Sequence, residues 1–215
     1  MHEIEARTSV ARGLEAQLNQ LKLDVFPLLL NQAKKSAQRS IHESRSMAVL
    51  FLDLQGFSRM NTDDANAALQ ALRSHVSGLM RRFEADYPNT WGDAVVVAFE
   101  DPNEALKFAC LLVQFLTVEG VGTRVGMSYG LLGVAFNEVR EALDIAGEAV
   151  NEAARLEPLA AVGEVLIADT LRYHPALQKE KFQFLMTQRR LTKGFGQFDA
   201  GEQLTCYLVK LTRPG

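Results

Sequence analysis

The chain has 215 residues, with 23 Lys+Arg against 26 Asp+Glu for a formal net charge of -3, and 47% of its residues are hydrophobic and 23% charged. That is the balance of an ordinary globular protein, one main domain with an appendage, long enough to bury a core. A slightly acidic chain lacks the basic face of a dedicated nucleic-acid binder, and two cysteines, Cys110 and Cys206, are too few for a disulfide framework and fit a reducing compartment as small buried apolar side chains.

The N-terminus, Met1-His2-Glu3-Ile4-Glu5, is too acidic for the start of a signal peptide. The longest apolar runs, 25–30 and 109–118, fall far short of the ~20 residues that span a bilayer, so the expectation is a cytoplasmic protein without a membrane partner. Residues 1–32 predict a helix, because Leu14, Leu18, Leu21, Val25 and Leu28 fall on one stripe and Pro27 ends or kinks it near the last turn. The stripe is too short for an independent coiled coil; it suits packing on its own domain or assistance in dimerisation. Residues 33–46 are polar, with Lys34, Lys35, Arg39 and Arg45, and read as a connector. The expected division is thus an N-terminal helical segment and connector over 1–46 and the main domain over 47–215.

Residues 47–54, MAVLFLDL, form an apolar run broken only by Asp53, the pattern of a buried strand. Thr62 can cap a following helix, with Asp63 and Asp64 at the positive end of its dipole and Leu69, Leu72, Val76, Leu79, Met80 and Phe83 on its apolar face. Residues 87–91 and 94–99 predict two strands joined by a tight turn at Gly92-Asp93. A second amphipathic helix covers 103–116, strands cover 123–129 and 132–136 around Gly130, and a helix over 146–157 is stopped by Pro158. Late strands cover 164–168, 182–185 and 204–209. Strand, helix, strand, strand, helix, strand is the α+β, ferredoxin-like βαββαβ arrangement.

Three features carry chemistry. An unpaired carboxylate inside an apolar strand is costly to bury, so Asp53 belongs at the strand's end, in a site. Asp93 lies on the turn of the hairpin that can neighbour that strand, and two converging carboxylates with room for phosphate oxygens describe a Mg²⁺ or Mn²⁺ site. Gly56-Phe57-Ser58 follows directly; the glycine allows close backbone approach, and the N–H groups after it can face an anion. In 150–156, VNEAARL, Asn151 and Arg155 stand at i and i+4 on one helical face, suited to a ribose and a phosphate, while Val150, Ala154 and Leu156 supply apolar packing. His2, His42, His75 and His174 show no metal-ligand spacing.

The segments FLDLQGFS, WGDAVVVAF, TRVGMSYG and LDIAGEAVNEAARLE, taken in order and spacing, closely resemble the catalytic domain of class III nucleotidyl cyclases over roughly residues 47–210. The resemblance implies the same βαββαβ fold. It implies that Asp53 and Asp93 hold two divalent cations, Mg²⁺ or Mn²⁺, with the Leu54 carbonyl contributing and the Gly56, Phe57 and Ser58 backbone meeting the triphosphate. It implies further that Arg124 and Lys193 contact phosphate, that Asn151 orients the ribose, that Arg155 stabilises the transition state, and that Asp144 reads the base. The family builds its sites between two subunits. Asp53, Asp93 and Arg124 would come from one, and Asn89, Asp144, Asn151, Arg155 and Lys193 from the other, so a C₂ homodimer would carry two equivalent sites.

The chain departs from the adenylate cyclase pattern K-x-x-G-D with Asn89-Thr90-Trp91-Gly92-Asp93. The base-reading lysine is Asn89, whose amide both donates and accepts, and a large indole, Trp91, stands where a smaller aliphatic side chain is usual. Paired with Asp144 this suits uracil or cytosine, and hydrogen bonding alone also admits adenine. A narrowed pocket favours a pyrimidine, UTP slightly over CTP, and the chain resembles the pyrimidine cyclases of Pycsar antiphage systems, in which a cyclic nucleotide activates a separate effector. An adenylate cyclase and a non-catalytic nucleotide sensor are the alternatives; the lack of a GG[DE]EF segment argues against a diguanylate cyclase.

Overall fold

The computed structural model describes residues 43–137, 142–194 and 199–212. The predicted helix over 1–32 and the connector as far as residue 42 lie outside the described residues, as does the side chain of Trp91.

The first strand, β1 (Glu43–Leu54), starts before the apolar run that predicted it. Residues 43–46, expected in the connector, are strand; Ser44, Arg45 and Ser46 are exposed, and Arg45 forms an ion pair with Glu100 at 3.1 Å. Helix α1 (Thr62–Met80) is capped by Asn61 rather than Thr62, the Asn61 side chain accepting from the Asp64 N–H at 2.9 Å, so Thr62 is already inside the helix. The hairpin of β2 (Asp86–Trp91) and β3 (Ala94–Phe99) turns at Gly92-Asp93 as predicted, with φ 66° at Gly92, a value glycine adopts without strain. Helix α2 (Pro102–Val118) starts at Asp101, whose carboxylate accepts from the Asn103 N–H at 2.7 Å, with Pro102 in the first turn, where its missing N–H is not needed.

The C-terminal half differs more from expectation. Gly130 does not divide two strands; β4 (Thr123–Asn137) runs through it for 15 residues. Residues 142–146, in part assigned to a helix, form β5 (Ala142–Ala146), antiparallel to β4 with Gly133 opposite Ala146 and Ala135 opposite Asp144. The helix starts later, as α3 (Glu148–Leu156), because Gly147 takes φ 145°, where a Cβ would lie 2.6 Å from the Leu131 carbonyl oxygen. Then come β6 (Val165–Ile167), the short α4 (Asp169–Arg172), and the hairpin of β7 (Phe182–Arg190) and β8 (Gln203–Leu211). β7 continues past its predicted end at 185 because backbone pairing with β8 carries it on, from Phe182 opposite Leu211 to Arg190 opposite Gln203.

One eight-stranded sheet has the order β2-β3-β1-β4-β6-β8-β7, with β5 on β4. The first four strands, 2-3-1-4, are the predicted βαββαβ core with β1 central. Both faces are covered. Val165, Ile167, Tyr207 and Val209 join the core under α1 and α2, whereas the alternate residues Leu166 and Cys206 join Leu156 of α3. Burial on two sides accounts for the unbroken apolar runs of β1 and β3. Gly126 on β4 is where α3 comes closest: a Cβ there would lie 2.2 Å from the Ala153 carbonyl oxygen and 2.3 Å from the Glu157 nitrogen.

Both cysteines are free, and burial pushes the Cys110 thiol up to about 12 and that of Cys206 to about 11, consistent with packing rather than reactivity. Among the described residues no helix is long and apolar enough to cross a membrane.

Candidate active site

The site grows from the end of β1. In its antiparallel register with β3, Leu52 pairs with Val95, so one more step carries Asp53 and Leu54 up to the β2–β3 turn and Asp93. Leu54 has its side chain in the core, 1% exposed. The Asp53 carboxylate accepts from Arg124 Nη2 at 2.7 Å. Burial raises the Asp53 pKa, the Arg124 hydrogen bond and charge oppose that, and the neighbouring Asp93 carboxyl raises it again. The two predicted acids therefore converge.

Arg124 sits at the start of β4 and touches a second carboxylate. Its Nε lies 2.9 Å from Glu157 Oε1, a charge contact whose angle is not that of a hydrogen bond, since neither atom has a directed partner. Glu157, 7% exposed, follows α3 in a 3₁₀ turn (Glu157–Leu159), and burial pushes its carboxyl up to about 7 against the pull of Arg124. Sequence reasoning missed Glu157. The available signal was an acid directly after the apolar face of a helix, where an unpaired charge is out of place.

Among the described residues no group of three or more His, Cys, Asp or Glu could hold a metal. Asp53 and Asp93 are nonetheless two hard-oxygen donors in mutual repulsion with a single guanidinium hydrogen-bonded to Asp53, and this set fits a divalent cation that completes its coordination with a backbone carbonyl, water and substrate phosphates. Beside them Gly56 takes φ 73° and opens the 3₁₀ turn Phe57–Arg59; a Cβ there would meet nothing within 4 Å, so the left-handed backbone and not crowding favours glycine. The first N–H groups of such a turn lack partners within it, and these belong to the predicted phosphate-facing segment, Phe57 also packing against the core.

A second group forms around Asn89 and Asp144. β2 carries a register shift between Asp86 and Asn89, with Tyr87 at φ 49°, and this bulge turns Asn89 inward to 6% exposure. Asn89 Nδ2 donates to Asp144 Oδ1 at 3.1 Å, and the Ile145 N–H donates to the same oxygen at 3.1 Å. The two predicted base readers thus meet across β2 and β5 within one chain.

Asn151 and Arg155 lie on α3, Asn151 exposed and Arg155 half-buried with its Nε out of solvent and without a hydrogen-bond partner. The helix is anchored by Ala149, Val150, Ala153 and Leu156; Ala153, and not the expected Ala154, is the fully buried alanine. Lys193 is exposed on the β7–β8 connection and is joined to neither group by a hydrogen bond or ion pair among the described residues. The predicted residues therefore resolve into an acid–arginine cluster, an amide–carboxylate pair and a polar helix face.

Residues 40–210 match the family described as the adenylate and guanylate cyclase catalytic domain. A pH-sensitive adenylate cyclase of Mycobacterium tuberculosis is 28% identical over 174 residues, 77% of this chain and 42% of that protein, and an adenylate cyclase of Streptomyces coelicolor is 29% identical over 129 residues, 57% of this chain and 32% of that protein. The chain thus spans less than half the length of the curated relatives it matches. In three dimensions it is similar to the guanylate cyclase domain of RhGC from Catenaria anguillulae, solved with GTP, with a TM-score of 0.65, 21% identity, and coverage of 80% of this chain and 100% of that one. The adenylyl cyclase CyaB of P. aeruginosa gives a TM-score of 0.64 at 22% identity, covering 80% and 97%.

Proposed function

The chain belongs to the adenylate and guanylate cyclase catalytic-domain family, and from that premise we propose that it cyclises a pyrimidine nucleoside triphosphate, UTP ahead of CTP, to the 3′,5′-cyclic nucleotide and pyrophosphate. The observation that supports a base-reading pair is the direct contact between the Asn89 amide and the Asp144 carboxylate; the choice of a pyrimidine over adenine, which the same hydrogen bonds admit, rests on the bulk of Trp91 in the sequence. A short amide held against a carboxylate presents a donor beside an acceptor. Uracil offers the complement, its N3–H to Asp144 and a ring carbonyl to Asn89; cytosine offers its amino group and N3. In the sequence pattern Trp91 stands where a smaller aliphatic residue is usual, and that larger side chain favours the smaller ring.

The working enzyme in this reading is a homodimer with two shared sites. Asp53 and Asp93 of one protomer would hold Mg²⁺ or Mn²⁺ together with the Leu54 carbonyl, and cations held there would supply a lowered pKa at the ribose 3′-hydroxyl and charge neutralisation at the triphosphate. Arg124 and the Gly56–Ser58 backbone bind the phosphates. From the partner, Asn151 orients the ribose for in-line attack on the α-phosphorus, and Arg155 and Lys193 stabilise the negative charge that grows towards pyrophosphate. The product signals to a separate effector, as in the antiphage systems the sequence resembles.

Adenylate cyclase activity is the second reading, favoured by the two adenylate cyclase relatives. Purified protein with Mn²⁺ and equimolar ATP, CTP, GTP and UTP, read by mass spectrometry, separates the two. Cyclic UMP or cyclic CMP is the expected product, and Asn89→Lys shifts preference away from pyrimidines; a dominant cyclic AMP peak overturns the pyrimidine reading. Binding of nucleotide without any cyclic product from a dimeric preparation would instead identify a non-catalytic sensor.

A further inference from the structure

The acid–arginine cluster contains one feature that the proposed reaction does not use. A single guanidinium faces two carboxylates from different elements: Nη2 lies 2.7 Å from Asp53 and Nε 2.9 Å from Glu157. Glu157 has nowhere to turn. Its side chain is 9% exposed, and Gly126, two residues beyond Arg124, leaves no room between β4 and the backbone of Ala153, Leu156 and Glu157. The turn bearing Glu157 is therefore pinned beside Arg124, and the Nε side of the guanidinium is anchored while the Nη2 side reaches Asp53. A guanidinium hydrogen-bonded to Asp53 occupies the carboxylate oxygen that a divalent cation needs, and two cations that share one ligand compete for it.

Resting on the reading of Asp53 and Asp93 as cation ligands, we propose that Arg124 is the resident countercharge of the cation site, displaced from Asp53 when a divalent cation binds, and that Glu157 is the positioning residue on which it pivots. Glu157 draws the guanidinium away from Asp53 and so eases entry of the cation. The displaced Nη2 is then free to turn towards the triphosphate that the cation accompanies. The arrangement ties phosphate binding by Arg124 to prior occupation of the cation site without any change of backbone.

The test is Mn²⁺ alone, without nucleotide, titrated into the full chain and followed by loss of the free-ion electron paramagnetic resonance signal. Arg124→Gln tightens Mn²⁺ binding at least about threefold, and Glu157→Gln weakens it by a similar factor, the size of a partly exposed ion pair. The double variant binds as tightly as Arg124→Gln, because Glu157 acts only through Arg124. It also leaves no lone buried charge, which keeps the test open if Arg124→Gln alone does not fold. Unchanged or weaker Mn²⁺ binding in both variants that lack Arg124 overturns the countercharge role. An equal loss on Glu157→Gln in both backgrounds overturns the pivot, since Glu157 would then act as a bare nearby charge. Asp53→Asn distinguishes these from failure of the underlying reading: if it leaves Mn²⁺ binding intact, or if the unaltered chain binds none, the cation site itself is wrong and the proposal falls with it.

Discussion

Glu157 is a carboxyl group with 7% exposure whose burial pushes it up to about 7 from an ordinary value of 4.5. A folded-state pKa above the unfolded one means that folding takes up a proton between those values. The stabilisation is complete below about 4.5 and is lost as the pH rises through about 7. Removing the carboxylate removes that loss. In metal-free buffer the melting temperature of the unaltered protein should fall between pH 5 and pH 8 more steeply than that of Glu157→Gln, the difference amounting to on the order of 3 kcal/mol. Parallel profiles in a thermal-melt series would show that Glu157 does not titrate in this window. Asp53 is raised in the same direction and shares Arg124 with Glu157, so the comparison reads the two coupled acids together.

The packing of α3 on β4 decides where Asn151, Arg155 and Glu157 stand, and Gly126 sets its distance. A methyl group there would meet backbone atoms at 2.2 and 2.3 Å, which no side-chain rotation relieves. Gly126→Ala is expected to cost at least about 1–3 kcal/mol, as overpacking does, lowering the melting temperature by about 2–4 °C per kcal/mol, and to abolish most cyclase activity by shifting α3. Gly130→Ala on the same strand is the control: its Cβ would meet only the Ala149 methyl, at 3.4 Å. It should change stability little. Equal losses at the two positions, measured by calorimetry, would refute a specific role for the Gly126 contact. At this scale β5 is the strand that periodicity alone does not assign, residues 142–145 having no predicted element and Ala146 falling in the predicted helix. LDIA is apolar enough for either a strand or the first turn of a helix, and only its pairing with β4 makes it a strand that carries Asp144 to Asn89.

For the whole molecule, the division of residues between two groups is the central expectation of a shared site. Asp53→Asn and Arg155→Ala disable different halves, and each should abolish turnover alone. Mixed and allowed to exchange subunits, they should recover about one quarter of the unaltered activity, because half of the dimers are mixed and each of those has one intact site. No recovery in a mixture shown to have exchanged would refute a site built between protomers.

Much of this was legible in the sequence. An acid in an apolar strand, an acid on a tight turn, and an amide and a guanidine four residues apart on a helix are local patterns, and local periodicity and the cost of burying charge are enough to read them. The βαββαβ order followed from the same signals. What the sequence did not disclose is contact between segments far apart in the chain: Arg124 with Glu157, Asn89 with Asp144, and Gly126 with the backbone of α3. Those depend on sheet register, on a bulge at Tyr87 and on a close approach only glycine permits, and such features acquire an energy only when the layers pack. Tertiary structure therefore decided which charges share a partner, while the chain's own order of residues determined which charges there were to be shared.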